Sequence, residues 1–352
     1  MATFKDILGH TKEIEMLKRA VAADRVAHAY LFAGPAGTGK RRVAYLLAAA
    51  LNCSQSKGLF KGDAGEGSPC GACVDCSMIE GNTHPNIMEI WPVDRDGKRA
   101  DDGLIRVEQI RDLQGSLNYK AGGGRKVAIV EDADKLMGQA ANAFLKTLEE
   151  PPPDSLIILI SARHSELLPT VLSRCQRINF RPLPEDRIKD FLIREKGLNG
   201  EDASVISRLS AGSLSSAVRC ASERVHERWN EAATRLKDLN ATDTYGILKL
   251  ADEISKRDDL DDLLEFLKTR CRDRLLLHEG AKHLTVTPGL APDRFNQGLE
   301  GQGKSGEARA TALIDSFAMI EDARRAVMPP RYANKQLTME ALLMRLAGNG
   351  AL

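Results

Sequence analysis

The most informative part of this chain is the loop Gly34-Pro35-Ala36-Gly37-Thr38-Gly39-Lys40-Arg41. It fits the phosphate-binding pattern G-x-x-x-x-G-K, except that Arg41 stands where the pattern continues with Ser or Thr. The apolar residues 29–33 before the loop predict a buried strand, and the Ala- and Leu-rich residues 42–51 after it predict a helix. A strand, a glycine loop and a helix in this order predict a P-loop, whose backbone N–H groups and helix N-terminus favour a polyphosphate.

The glycines and the lysine of this loop are candidate nucleotide-binding residues. Gly34, Gly37 and Gly39 let the backbone turn toward phosphates, and Lys40 is expected to reach the β- and γ-phosphates. The Ser or Thr hydroxyl that usually binds magnesium is missing, and a guanidinium has no acceptor with which to replace it. We therefore expect a loop that can hold ATP or ADP but is poorly built to hydrolyse ATP.

Composition excludes several classes of protein. The 352 residues are enough for two or three domains, and 50 basic against 49 acidic residues give a net charge of +1. That balance argues against a protein that binds DNA on its own through electrostatics. Residues 1–9 lack a signal-peptide pattern, and no apolar run approaches the roughly 18 residues of a membrane span. The sequence therefore predicts a cytoplasmic protein without a membrane partner.

Four of the seven cysteines form a cluster in the sequence. Two C-x-x-C steps share Cys73 and join Cys70 to Cys76, and Cys53 lies 17 residues before Cys70. Four thiolates suit a closed tetrahedral zinc site that has no open position for catalysis. An iron–sulfur centre is less well supported, because Glu80 stands where its fourth cysteine is expected. Four thiols without a metal are the remaining alternative.

Two carboxylates follow a second apolar run. Residues 127–130 read as a central parallel strand covered on both faces, and Glu131 and Asp132 come directly after it. The carboxyl ends of the strands are where α/β sheets bind ligands. This pair is therefore expected to supply a magnesium-binding and a water-activating carboxylate, the alternative being a solvated strand end.

The order of predicted elements gives an α/β fold followed by helices. Strands and helices alternate up to residue 182, which predicts a parallel sheet with helices on both faces. Pro182 and Pro184 then mark a boundary, after which the patterns are helical only. We expect three domains: residues 1–182 with a cysteine module at 53–76, a small helical domain at 183–241, and a second helical domain at 242–352.

Several segments resemble the AAA+ subunits of the bacterial replicative clamp loader. The most specific are Asn-Ala-Phe-Leu-Lys-Thr-Leu-Glu-Glu-Pro-Pro at 142–152 and Leu-Ser-Arg-Cys at 172–175, with further matches at 28–32 and 341–346. The resemblance implies an AAA+ P-loop domain carrying a zinc module, a helical lid domain and a helical collar domain.

In that family the gamma/tau type is an ATP-hydrolysing motor, and the delta-prime type is nearly inert. Arg41 stands where the motor has Thr, and Glu131 and Asp132 reverse the motor's order of Asp then Glu. Ser215 stands where the motor places an Arg that senses the γ-phosphate. These departures resemble the delta-prime type, although the intact glycine loop with Lys40 fits that type less well.

The resemblance also implies a role for Arg174 as an arginine finger that acts in the ATP site of a neighbouring subunit. It implies a stator-like subunit in a hetero-pentamer with gamma/tau motors and a delta subunit, which loads the sliding clamp on primer-template DNA. Arg163, in the loop after an apolar strand, is a second candidate for a subunit contact, although a solvated side chain is the simpler interpretation. The alternatives are an active gamma-type motor and a zinc-bearing P-loop kinase of small molecules. The kinase leaves the Ser-Arg-Cys signature unexplained.

Overall fold

The computed structural model describes residues 3–55, 67–100, 103–119, 122–136, 138–222, 225–238, 242–281, 284–285, 306–327 and 333–349. The chain forms two compact units, Met1–Ile188 with Ala211–Ser216 and Lys189–Ser210 with Ala217–Leu352. Residues 56–66 of the expected cysteine module and 286–305 of the expected second helical domain lie outside the described residues. The three-domain division given above stays a prediction.

The first unit contains a five-stranded parallel sheet. Its strands are β1 (Ala29–Ala33), β2 (Ile87–Ile90), β3 (Lys126–Val130), β4 (Ser155–Ser161) and β5 (Gln176–Asn179). They lie in the order β2-β3-β4-β1-β5, and every neighbouring pair is parallel. β1 and β4 are buried along their whole length. Continuous apolar runs therefore form the centre of the sheet, as the sequence predicted.

Helices cover both faces of this sheet. The α-helices up to residue 182 are α1 (Thr11–Ala22), α2 (Lys40–Asn52), α3 (Val74–Glu80), α4 (Val107–Leu117), α5 (Gln139–Glu149) and α6 (Pro169–Leu172). Leu31 of β1 packs in one hydrophobic cluster with residues of α4 and α5, whereas Tyr30 and Phe32 pack in another with residues of α1 and α2. Successive residues of a strand face opposite sides, so the two clusters are the two faces of the predicted α/β fold.

The remaining helices are α7 (Glu185–Lys196), α8 (Gly200–Leu209), α9 (Leu214–Ser222), α10 (Val225–Asp238), α11 (Thr244–Ser255), α12 (Leu260–His278), α13 (Gly306–Val327) and α14 (Lys335–Asn349). Among the described residues no strand follows β5, in agreement with the helical patterns beyond residue 182. In the second unit α12 packs on α13 and α11 on α14. Lys268 of α12 pairs with Glu321 of α13 at 3.0 Å. Within the described residues, no helix is long and apolar enough to cross a membrane.

Candidate functional site

The phosphate loop lies between β1 and α2, and its glycines adopt conformations that other residues rarely reach. Gly34, Gly37 and Gly39 have φ of 149°, 75° and 97°. A Cβ on Gly34 would lie 2.0 Å from the backbone carbonyl oxygen of Phe180. Gly39 is the N-cap of α2 and provides no side-chain hydrogen bond, so the first N–H groups of this helix have no cap. An uncapped helix start behind a glycine loop fits an anionic phosphate.

The start of α9 lies against the same loop. The backbone N–H of Ser215 donates to the carbonyl oxygen of Gly37 at 3.3 Å. A Cβ on Gly37 would lie 2.1 Å from the hydroxyl oxygens of Ser213 and Ser215. Position 215, where the resemblance described above implies an Arg in the motor subunits, therefore lies beside the glycine loop. A serine there brings no positive charge to this loop.

Lys40 binds its own loop. Its side chain is buried, with 5% of the residue exposed. Its Nζ donates to the carbonyl oxygens of Gly34 and Pro35, both at 2.6 Å. Burial lowers the pKa of Lys40 to about 8, although Asp132 and Asp134 act in the opposite direction. The lysine that was expected to reach phosphates is thus held beneath the loop.

Arg41 joins the loop to β2 and to the end of β3. Its Nε donates to Oε1 of Glu89 at 2.9 Å, and its Nη2 donates to Oε2 at 3.0 Å. Its Nε also lies against Oε1 of Glu131. The guanidinium stacks on the ring of Tyr45, 5.2 Å from the ring centroid. The hydrogen bonds to Glu89 raise the pKa of Arg41, so this side chain stays cationic.

Glu131 is enclosed by two guanidinium groups. The carboxylate follows β3 and is 8% exposed; Arg41 contacts one oxygen and Arg99 contacts the other. Burial, reinforced by the adjacent Glu89, raises the pKa of Glu131 to about 7, against the opposing effect of the two arginines. Arg99 in turn lies over the ring of Trp91 at 5.2 Å. Oε2 of the carboxylate that was expected to bind magnesium therefore accepts a hydrogen bond from Arg99, whereas the buried Oε1 contacts Arg41 but accepts no hydrogen bond.

Asp132 does not join Glu131 in this cluster. Its backbone has a positive φ of 44°, and its half-exposed carboxylate lies 3.7 Å from Nζ of Lys135. The carboxylates of Glu131 and Asp132 are thus separated, because the turn after β3 places the first in the interior and the second at the surface. The expected pairing of a metal-binding and a water-activating carboxylate is not assembled in this arrangement.

Asp134 is a buried acid that the sequence analysis did not identify. It accepts hydrogen bonds from Oγ of Ser161 at 2.5 Å and from Nη2 of Arg163 at 3.1 Å. Glu89 and Arg99 were missed as well. A glutamate inside the otherwise apolar strand Ile-Met-Glu-Ile was the available signal for Glu89. Arg163, the second candidate for a subunit contact, is tied to Asp134 within the chain.

The four clustered cysteines form a separate group, and none of them is in a disulfide bond. All their Sγ atoms lie within 4.8 Å of one another, with Cys53 3.7 Å from Cys73 and Cys70 3.9 Å from Cys76. A tetrahedron of sulfurs at about 2.3 Å from a zinc ion has edges of about 3.8 Å. The residues therefore fit a metal ion, and this group can hold one.

Two helix ends and a tight turn build the cysteine group. Cys53 directly follows α2, and Cys73 is the N-cap of α3. The backbone N–H of Cys73 donates to Sγ of Cys70 at 3.3 Å, and that of Cys76 donates to Sγ of Cys73 at 3.5 Å. Burial opposes ionisation, but the N–H of Cys76 and neighbouring side chains lower the pKa of Cys73 to about 6. Such a thiol is a ready metal ligand at neutral pH.

Arg174 follows α6 and is 32% exposed. Its Nη1 donates to the carbonyl oxygen of Thr170 at 2.8 Å, and its Nη2 pairs with Glu149 at the end of α5. Within the described part of the chain, none of its contacts is with the phosphate loop. The structure thus brings Lys40 against Gly34 and places Glu131 against Arg41, the residue after Lys40, and it leaves Arg174 outside these contacts.

The parallel sheet, the glycine loop on β1 and the helices that follow place the chain in the α/β class of P-loop proteins. The family model described as DNA polymerase III, delta subunit matches residues 9–184, which is half of the chain. The chain belongs to this family of DNA polymerase III subunits.

Curated relatives agree with that assignment. The chain is 38% identical to DNA polymerase III subunit delta' of Pseudomonas aeruginosa over 91% of its length and 92% of the relative's. It is 37% identical to subunit delta' of Bacillus subtilis, where the match spans 52% of this chain and only half (50%) of the relative. It is 30% identical to subunit tau of Salmonella typhimurium over 66% of this chain and 35% of that protein.

Proposed function

We propose that this chain is the non-motor, stator-like subunit of a replicative clamp loader and supplies Arg174 to the ATP site of a neighbouring subunit. The observation that carries this proposal is that the chain's own phosphate-loop site is poorly equipped to hydrolyse ATP. Arg41 occupies the place of the magnesium ligand and lies against Glu131, which is also paired with Arg99. A carboxylate held by two guanidinium groups is poorly placed to bind magnesium or to activate water. This site therefore lacks the groups needed to hydrolyse ATP.

Arg174 has the properties that a finger requires. The short helix α6 begins with Pro169 and ends two residues before Arg174. The hydrogen bond from Nη1 of Arg174 to the carbonyl oxygen of Thr170 holds the guanidinium beside this helix. Its carboxylate partner Glu149 is half-exposed, and such ion pairs are worth about 0–1 kcal/mol. The guanidinium can thus exchange Glu149 for a phosphate at little cost. In GTPases an arginine in this role raises the rate about 10³–10⁵-fold.

The partners follow from the relatives. Those similar to this chain are named as delta' and tau subunits of DNA polymerase III, so we infer a place in a multi-subunit loader. In the full proposal this is a hetero-pentamer with gamma/tau and delta subunits in the cytoplasm. It loads the sliding clamp on primer-template DNA, and residues 183–241 and 242–352 serve as lid and collar. A net charge of +1 suits a subunit that shares its DNA contacts with partners.

The cysteine group completes the proposal as a structural zinc site. Four thiolates would fill all positions of a tetrahedral ion and leave none for a substrate. The site would join the end of α2 to the start of α3, since Cys53 and Cys73 lie at these two helix ends. It would therefore stabilise the fold and take no part in ATP hydrolysis.

Steady-state ATP hydrolysis by the reconstituted loader, with clamp and primed DNA present, tests the finger. We expect Arg174→Ala to lower the rate of ATP hydrolysis at one neighbouring ATP site by about 10³-fold or more. The ATPase rate of the whole assembly should fall by the fraction that this one site contributes. Arg177→Ala, at an exposed position on β5, is the matched control and should leave the rate unchanged. Lys40→Ala should also leave it unchanged. Normal turnover with Arg174→Ala would refute the finger, and a loss with Lys40→Ala would favour an active gamma-type motor.

A further inference from the structure

The place of the magnesium ion is where this chain departs furthest from a P-loop ATPase. In such enzymes the ion lies between the hydroxyl that follows the loop lysine and a carboxylate at the end of a neighbouring strand. Here those two positions are Arg41 and Glu131, and the guanidinium lies against the carboxylate. A cationic side chain thus fills the space between the two groups.

The carboxylate oxygens around this space already contact guanidinium groups, although the buried Oε1 of Glu131 accepts no hydrogen bond from Arg41. Arg41 binds both oxygens of Glu89, and Arg99 takes the second oxygen of Glu131. Mg²⁺ requires nearly octahedral oxygen ligands at about 2.0–2.1 Å, and a guanidinium offers it none. The residues present therefore do not fit a magnesium ion.

The same residues fit a phosphate group. The side chain of Arg41 is 47% exposed and stands in the first turn of α2, next to Lys40 and behind the glycine loop. In the described part of the chain its contacts use Nε and Nη2, which leaves Nη1 for another acceptor. Bonds from a guanidinium to a phosphate are charge-assisted, and the uncapped helix start adds partial positive charge.

The geometry points to Arg41 as a built-in cation that takes the place of magnesium, so that the site binds nucleoside di- or triphosphates free of a divalent ion. Glu89 holds the guanidinium in position through two hydrogen bonds. Such a site retains its nucleotide, because Arg41 fills the place of the metal ion and Glu131 lies between two guanidinium groups. This inference is independent of the role of Arg174.

Binding of a fluorescent ADP analogue and of ATP to the purified full chain tests the inference. The titration is done with Mg²⁺ and in buffer freed of divalent ions by a chelating resin, without soluble chelator, so that the cysteine site keeps its metal. For each nucleotide, we expect the dissociation constants with and without Mg²⁺ to agree within about threefold. Arg41→Thr should weaken binding in the metal-free buffer by about tenfold or more. Arg42→Thr removes the same charge from the adjacent exposed position and should bind as the wild type does.

Three results would overturn the inference. They are a wild-type chain that binds about tenfold more weakly without Mg²⁺, a wild-type chain that binds no nucleotide in either buffer, and an Arg41→Thr chain that binds normally without the metal. Thermal unfolding shows whether each variant is folded. If Arg41→Thr does not fold, the titrations of the wild-type chain with and without Mg²⁺ still test the inference. Their outcome does not affect the finger role of Arg174, which is tested separately by ATP hydrolysis of the assembly.

Discussion

Arg174 forms an ion pair with Glu149, the last residue of α5 and 25 positions earlier in the chain. Glu149 lies in segment 142–152 and Arg174 in segment 172–175, the two segments that most resemble the clamp-loader family. The pair therefore links those segments physically, through the ends of α5 and α6. Because both side chains are partly exposed, solvent screens the attraction.

This pair predicts a small effect for a change at Glu149. Glu149→Gln removes the charge but keeps the shape, so the ATPase rate of the reconstituted loader should change by less than about fivefold. Glu150→Gln, at the next exposed position, controls for the loss of a surface carboxylate. A loss as large as that of Arg174→Ala would mean that the carboxylate takes part in positioning the finger.

The cysteine group predicts a metal content of about one zinc per chain, because four thiolates complete one tetrahedral site. Cys76→Ser should lose the ion and unfold at a lower temperature, since the metal binds the folded chain only. Cys220→Ser changes a buried thiol outside the group and should keep the zinc. Elemental analysis and thermal unfolding measure both effects. A folded wild-type chain without metal would contradict the zinc site.

Lys40 predicts a dependence of stability on pH. Its pKa is lowered by burial from 10.5 to about 8, so between these values the unfolded chain binds more protons than the folded one. The free energy of unfolding should therefore rise with pH across this window, and the gain should be absent below pH 8. Lys40→Met should remove this part of the slope, because methionine does not titrate.

Chemical denaturation at several pH values between 7 and 10.5 measures this slope. Lys12→Met, which changes an exposed lysine on α1, corrects for the loss of a lysine from the surface. If Lys40→Met and Lys12→Met were to give the same slope, the ammonium of Lys40 would not be buried in the folded chain.

The sheet and the cysteine group could be predicted because their signals are local. The glycine loop follows β1 directly, and the apolar runs of β3 and β4 are continuous in the sequence. The C-x-x-C steps fix three thiols within a single turn and helix start, whatever the rest of the chain does. Apart from Cys53, which lies 17 residues before Cys70, each of these features depends on residues a few positions apart, so little knowledge of the tertiary structure was needed.

The contacts of the phosphate site could not be predicted in this way. Arg41 meets Glu89 at a separation of 48 residues, and Arg99 meets Glu131 at 32. Both pairs depend on β2 lying beside β3, an order that hydrophobic patterns do not specify. The sequence is also the same whether Lys40 reaches a phosphate or its own loop carbonyls. Only the folded geometry distinguishes these two states.

α2 has a candidate site residue at each end, which limits its length if both sites are used. Lys40 is its first residue, and Cys53 follows its thirteenth and last. An α-helix turns by about 100° for each residue, so one inserted or deleted residue would swing Cys53 away from the other three thiols or turn Lys40 away from its loop. Substitutions within the helix leave this angular phase intact. The fold can therefore tolerate substitutions in α2, but a change in its number of residues would disrupt either the phosphate loop at Lys40 or the cysteine group at Cys53.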